Sequence, residues 1–238
     1  MADRVAKEAL FDRLADVAKA LGNGRRTELV DVLAQGERSV DVLAGELGQS
    51  MANTSHHLQV LARVGLVATR RDGARVYYRL SSERVAELWS ALRDVAAHQV
   101  AGISELVDAY LGPRDSIATI TRDELASNLD AGRFVVLDVR PLPEYEAGHI
   151  PSAVPIDPLR LHDQLRKVPR DVEVVAYCRG PYCAYACEAI RSLESQGVHA
   201  RRLEEGFPEW RRAGLPVATG LPSPSGLTTS PSQPSLGG

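Results

Sequence analysis

A two-domain fold is predicted, a mainly α first half followed by an α/β second half with a mainly parallel sheet. Three observations predict it. Apolar residues recur at helical spacing to about Leu111, interrupted once by a short stretch of period two. Gly112-Pro113-Arg114-Asp115 then breaks the pattern, because Gly readily ends a helix and Pro forbids its continuation. Beyond this point short apolar runs alternate with helical segments, as in βα units. With 238 residues the chain is long enough to bury two cores. The boundaries read as 1–111 and 116–218, with a Pro/Ser/Gly-rich tail over 219–238 that has too little apolar surface to fold and is expected to be disordered.

In the first half, Val5, Leu10, Leu14, Val17 and Leu21 share a face and predict a helix over 5–21. Asn23-Gly24 breaks it, and a second helix runs from Arg25 to Ala34. Ser39 is placed to cap a short helix to Leu47; after Gly48-Gln49, Ser50 caps another, Met51 to Val64. Strands Leu66 to Arg71 and Arg75 to Leu80 then flank the turn Arg71-Asp72-Gly73-Ala74, forming a hairpin. One long helix is expected from Ser82 to Leu111. In the second half, Thr121-Arg122-Asp123-Glu124 is a capping box. Phe134 to Leu137 and Val172 to Tyr177 have the length and composition of buried strands, and helices are expected over 159–167 and 183–195.

The bulk numbers bound the function. Hydrophobic residues make up 44% and charged residues 25%, a soluble globular profile, and no apolar run approaches membrane-span length. The N-terminus, MADRVAKEALFDRL, is charged and helix-like, unlike a signal peptide. A net charge of −3 argues against polyanion binding over the whole surface but leaves room for a local basic patch. Three cysteines, an odd number crowded within 178–187, make no secreted disulfide framework. A reducing, cytoplasmic compartment is expected.

Two short helices, a tight turn and a basic hairpin together form a winged helix-turn-helix pattern. The stretch from Ser39 to Leu80 resembles the ArsR/SmtB family of winged-helix repressors, most specifically in Ser55-His56-His57-Leu58, the Leu61…Gly65-Leu66-Val67 turn and the Tyr77-Tyr78-Arg79-Leu80 strand. The residues themselves agree. Leu58, Leu61 and Val64 have core spacing, leaving Asn53, Thr54, His56, His57 and Gln59 for base edges and phosphates. Between Asn53 and Arg79, Arg63, Arg70, Arg71, Arg75 and Arg79 against the single acid Asp72 give a local charge of +4. The competing reading of these arginines is a solvated face on a winged fold used for protein contacts. The expected partner is double-stranded operator DNA. The resemblance implies a homodimer through the first and last helices. Leu88, Trp89, Leu92, Val95, Ala96, Val100, Ile103 and Val107 form an apolar stripe on the last helix that permits it, though the stripe could equally pack within the domain. Many members of the family sense metals. Here the first helix and the Val42–Leu47 segment carry no Cys, and Asp94 with His98 lacks a further His, so no metal site and no cofactor are expected in this half.

The motif Leu137-Asp138-Val139-Arg140…Glu144-Tyr145…Gly148-His149-Ile150-Pro151 resembles the first signature of the rhodanese (sulfurtransferase) family. Leu203…Gly206-Phe207-Pro208-Glu209-Trp210…Gly214-Leu215-Pro216-Val217 resembles its closing signature, with Glu205 where a second Gly is common. Between them Cys178 ends a predicted buried strand and opens a loop that runs to Cys183 at a helix start. Loop amides and the positive end of the helix would stabilise a thiolate there, so Cys178 is the candidate nucleophile; the resemblance implies a persulfide intermediate on it. Gly180 and Pro181 belong to the loop, Gly180 allowing its tight turn, while Arg179 and Tyr182 are placed to shape its mouth. Asp138 is open to two roles, orienting the loop or Arg140, or serving as an N-cap or core ion pair. Arg140 and Glu144 read as a structural pair. Cys183 is either a resolving thiol for Cys178 or a small loop residue hydrogen-bonding the persulfide. Cys187, one turn on, reads as a buried packing residue. Related phosphatases need a loop one residue longer followed by Arg; Ala184 stands next here, which favours sulfur over phosphate or arsenate chemistry.

The combined expectation is a one-component regulator whose rhodanese-like half takes up sulfane sulfur or responds to a small oxidant at Cys178. The alternatives are a working sulfurtransferase tethered to a DNA-binding module and an arsenic or heavy-metal regulator using Cys178, Cys183 and Cys187 as soft ligands.

Overall fold

The structure, a computed structural model, describes residues 3–221 except Asp115, Asp130 and Pro169. The tail predicted over 219–238 thus falls almost wholly outside the described residues. The chain divides into two compact units between Leu106 and Val107.

The first unit opens with α1 (Arg4–Leu21), capped by the Asp3 side chain, which accepts from the Val5 amide. Gly22 ends it, and Asn23 Oδ1 accepts from the Arg25 and Arg26 amides at 3.1 and 3.3 Å to start α2 (Gly24–Leu33). After the two-residue strand β1 (Arg38–Ser39) come α3 (Val40–Glu46) and α4 (Met51–Arg63). Ser50 caps α4 by accepting from the Asn53 amide at 3.3 Å. Strands β2 (Val67–Asp72) and β3 (Arg75–Leu80) pair antiparallel, Val67 opposite Leu80 and Asp72 opposite Arg75, with Gly73 at φ 58° turning the tip. β1 joins the other edge of β3, placing Arg38 opposite Tyr78. Two residues are too short to register as a strand in the sequence. Leu29, Leu43, Leu58 and Leu61 are fully buried at the centre of the unit's core.

The long helix predicted from Ser82 to Leu111 is two helices, α5 (Glu83–Gln99) and α6 (Ile103–Leu111). Val100 is extended and Gly102 sits at φ 83°. The cause is local: Gly is a poor helix former that adopts a left-handed turn without steric cost, and β-branched Val100 and Ile103 flank it. The expected apolar stripe is divided accordingly. Leu88, Leu92, Val95 and Val100 are exposed and Trp89 packs on the first unit's core, whereas Val107 packs on the core of the second unit.

The second unit is a five-stranded parallel sheet in the order β4 (Thr119–Ile120), β8 (Ala200–Leu203), β7 (Glu173–Tyr177), β5 (Phe134–Asp138), β6 (Val154–Pro155). Its helices are α7 (Arg122–Asn128), α8 (Leu142–Ala147), α9 (Leu161–Leu165) after a short 3₁₀ turn, α10 (Ala184–Ser195) and α11 (Phe207–Arg212). Thr121 caps α7, accepting from the Glu124 amide at 3.2 Å. Side chains alternate along β7: Val174, Ala176 and Cys178 enter one core with α9 and α10, and Val175 and Tyr177 enter the other with α7, α8 and α11. Burial on both faces explains why the strand reads as a continuous apolar run. β8 carries two arginines and so does not read that way. Arg201 pairs with Glu173 at 2.6 Å and Glu124 at 2.7 Å, and buried Arg202 donates to the Leu203 and Glu204 carbonyls.

Candidate functional site

The central strand β7 delivers Cys178 to the carboxyl end of the sheet, where ligand crevices of open parallel sheets form. Its side chain is 1% exposed. The chain then loops through Arg179, Gly180, Pro181 and Tyr182 to Cys183, the N-cap of α10. Cys178 and Cys183 form a disulfide, their Cα atoms 6.1 Å apart. The Cys183 amide donates to the Gly180 carbonyl at 3.2 Å, closing the turn between them.

The closing signature forms the wall against which this loop lies. A Cβ on Gly206 would come within 2.5 Å of the Arg179 carbonyl carbon and the Gly180 Cα, so only glycine admits the loop. The next amide, Phe207, donates to the Cys178 carbonyl at 3.0 Å. Sequence reasoning identified the motif but not this contact, which no local pattern encodes.

Beneath the loop, Asp138 is the centre of a dry network. Its carboxylate accepts from Arg140 Nε at 3.0 Å, Arg140 Nη2 at 2.6 Å and the Tyr177 hydroxyl at 2.6 Å. Tyr177 in turn accepts from the Ile150 amide at 3.1 Å, and Arg140 donates to the Gly148 carbonyl at 2.7 Å. Burial and the neighbouring Asp138 push the Tyr177 hydroxyl well above its ordinary range, so it acts as a hydrogen-bonding strut. Asp138 forms a core ion pair with Arg140; it reaches the loop through Tyr177, the residue before Cys178, and through Arg140, which lies 4.1 Å over the ring of Phe207.

Arg140 and Glu144, read from sequence as a structural pair, do influence each other through their charges, but their close contacts lie with other residues. Arg140 lies on Asp138, and Glu144, fully buried, accepts from Arg179 Nε at 3.0 and 3.2 Å and from Arg179 Nη2. The reason is topological: α8 brings Glu144 beneath the loop, while Arg140 turns back on its own strand end. Cys187 is fully buried among apolar side chains, and the described residues hold no group of three or more metal-ligating side chains.

In the first unit, α4 exposes Asn53, His56, Gln59 and Arg63, with His57 half-buried. Thr54, expected among the base-reading residues, is fully buried and its hydroxyl donates to the Ser50 carbonyl at 3.0 Å; it sits one turn before Leu58 on the core face. The hairpin exposes Arg71, Arg75 and Arg79. Arg70 is held by Glu37 at 2.7 Å and lies 4.6 Å over the Tyr77 ring.

A helix-turn-helix domain model matches residues 21–70, and a rhodanese-like domain model matches 121–213. The HTH-type transcriptional regulator Rv0324 of Mycobacterium tuberculosis is 45% identical over 217 residues, 91% of this chain and 95% of that protein. The chain belongs to the ArsR-type helix-turn-helix transcriptional regulators. Within this regulator the helix-turn-helix half has further relatives, including the nodulation protein NolR of Rhizobium meliloti, 34% identical over 38% of this chain and 80% of that protein. Among solved structures, the winged helix-turn-helix DNA-binding domain (fragment 1–100) of a possible ArsR-family regulator from Mycobacterium bovis is 45% identical over 42% of the regulator and 91% of that chain, with a TM-score of 0.39. A rhodanese-related protein from Thermoplasma volcanium is 25% identical over 42% of the regulator and 97% of that chain, also with a TM-score of 0.39.

Proposed function

We propose that this regulator binds double-stranded operator DNA as a cytoplasmic homodimer and adjusts that binding to reactive sulfur or oxidant sensed at Cys178. The observation that carries the reading is the pairing of Cys178, at the end of the central strand, with Cys183, at the start of α10. The chemistry closes without further reagents. The Cys178 thiolate takes the sulfane sulfur of a polysulfide, whose remaining sulfur leaves as a thiolate. The Cys183 thiolate then attacks the Cys178 sulfur, forming the disulfide and releasing the outer sulfur as hydrosulfide. With peroxide, the Cys178 thiolate attacks one oxygen, the O–O bond breaks with loss of hydroxide from the peroxide, and a sulfenic acid forms; attack by the Cys183 thiol then forms the same disulfide and releases water.

The DNA half of the proposal rests on exposed Asn53, His56 and Gln59 on α4 and on the exposed hairpin arginines. Dimerisation is supported by apolar side chains left in solvent on α1 (Leu10, Phe11, Leu14) and α5 (Leu88, Leu92, Val95). A route for the signal exists within the second unit. α10 begins at the loop and shares a core with Val107 and Leu111 of α6, and Arg191 on α10 donates to the Pro113 carbonyl at 2.9 Å. In this proposal a loop change that shifts α10 reaches α6, the helix through which the chain passes from one unit to the other.

A second reading, a turning-over sulfurtransferase, is favoured by the rhodanese-like domain match itself. A persulfide resolved within the loop consumes the bound sulfur after one uptake, whereas an enzyme passes it to an acceptor repeatedly. Counting sulfur transferred per protein separates them: about one equivalent supports the sensor, and many support the enzyme. For the DNA half, a dimer that neutralises about eight phosphates gives log K against log salt a slope near about −7, and a slope near zero contradicts DNA binding.

A further inference from the structure

We infer that the sulfur donor for Cys178 is an uncharged organic polysulfide, and that the loop discriminates against oxyanionic donors such as thiosulfate. This deepens the reading of Cys178 as a sulfur acceptor and rests on it.

Thiosulfate brings a dianion whose sulfonate end must be held while its sulfane sulfur is attacked. Proteins hold such groups with a guanidinium presenting two donors. The guanidinium next to the nucleophile, Arg179, is turned away from this task. Its Nε and Nη2 both address Glu144, whose side chain is 0% exposed against 18% for Arg179. The pair is therefore shielded from solvent on the carboxylate side and contributes no net positive charge to the mouth. Arg140, behind the strand end, is bound to Asp138 with both side chains 0% exposed. Arg122 is likewise engaged, by Glu205 at 2.8 Å, the residue before loop-packing Gly206. A donor dianion approaching the Cys178 thiolate thus meets like charge with each of these neighbouring guanidinium groups already held by a carboxylate. An uncharged trisulfide meets no such barrier, and Pro181 and Tyr182 give the loop an apolar, half-buried rim.

In the step proposed, the Cys178 thiolate attacks the central, sulfane sulfur of the trisulfide R–S–S–S–R, forming Cys178–S–S–S–R, counting the Cys178 sulfur first, and expelling the thiolate R–S⁻. The Cys183 thiolate then attacks the Cys178 sulfur, closing the loop disulfide and expelling the persulfide R–S–S⁻. Atoms and charge balance, with two thiolates oxidised and the trisulfide reduced to a persulfide and a thiolate.

The test uses the reduced full-length protein with diallyl trisulfide or thiosulfate at equal concentration, following loss of free Cys178 and Cys183 by alkylation and mass spectrometry. The trisulfide is expected to react faster by at least about a hundredfold, the scale of an uncompensated like charge. The thiosulfate rate should stay flat or rise as salt is added, because screening relieves repulsion. Glu144→Gln, which removes the counter-charge of Arg179, should raise the ratio of the thiosulfate rate to the trisulfide rate by about tenfold or more, whatever it does to either rate alone. Comparable rates for the two donors in the wild type, or a thiosulfate rate that falls steeply with salt, would overturn the inference even if Glu144→Gln fails to fold. If neither donor modifies Cys178, the underlying assignment of Cys178 as a sulfur acceptor fails and the inference falls with it.

Discussion

The hairpin and the cysteine loop both carry arginine, and they use it in opposite ways. In the hairpin Arg71, Arg75 and Arg79 stand exposed on β2 and β3, while Arg70 forms an ion pair with Glu37, outside the hairpin. Around the loop, Arg140 and Arg179 are each bound to a fully buried carboxylate, Asp138 and Glu144. An exposed cation is available to a polyanion and is screened by salt. A cation locked on a buried carboxylate fixes geometry and cancels charge. The same residue type is left open to solvent in one region and built into a scaffold in the other, and burial of the partner decides which.

The largest expected effect breaks the scaffold. Asp138→Ala leaves Arg140 buried without its counter-charge and Tyr177 without its acceptor, and should destabilise the second unit by about 3–5 kcal/mol in urea unfolding of the full chain. A loss under about 1 kcal/mol would mean that the network is not a stability element. Next is Gly206→Ala, which drives a methyl group into the loop backbone. It should cost about 1–3 kcal/mol and change the rate at which the Cys178–Cys183 disulfide forms, read by thiol alkylation. In the hairpin, Arg71→Ala should weaken operator binding and reduce the magnitude of the salt slope by about 1, whereas Arg70→Ala should alter the slope less because Glu37 already neutralises Arg70. Equal changes for the two variants would erase the contrast drawn above. The smallest effect concerns His57. Desolvation, with Arg26, His56 and Arg25 nearby, holds its imidazole below the ordinary value of 6.5. The folded unit therefore resists its protonation. Stability is full above that value and is lost as pH falls below it, until His57 protonates in the folded state as well. The thermal midpoint should fall less for His57→Gln than for wild type between about pH 7 and about pH 5.

Much of this architecture was legible in the sequence where local rules act alone. Caps such as Ser50 and Thr121, the Gly73 turn and the alternation of strand and helix are each set by a few neighbouring residues. The features that escaped are those decided by distant partners. Glu144 meets Arg179 across 35 positions, and nothing near either residue says so. β8 hides as a strand because Arg201 finds carboxylates on α7 and β7, and Arg202 donates to carbonyls at its own strand end. Thr54 has the polarity of a base reader but the helical phase of Leu58 and Leu61, and phase prevails over polarity. The break at Gly102 escaped because the apolar stripe running past it reads as one continuous helix.

The central claim is that the redox or sulfur state of Cys178 sets operator affinity. Its most direct measurement is operator binding by the reduced full-length protein before and after polysulfide treatment, in wild type and in Cys178→Ser. The account expects wild-type affinity to change by about 5–150-fold and the variant not to respond. An identical response in both proteins, or no response in wild type once the disulfide has formed, would contradict it.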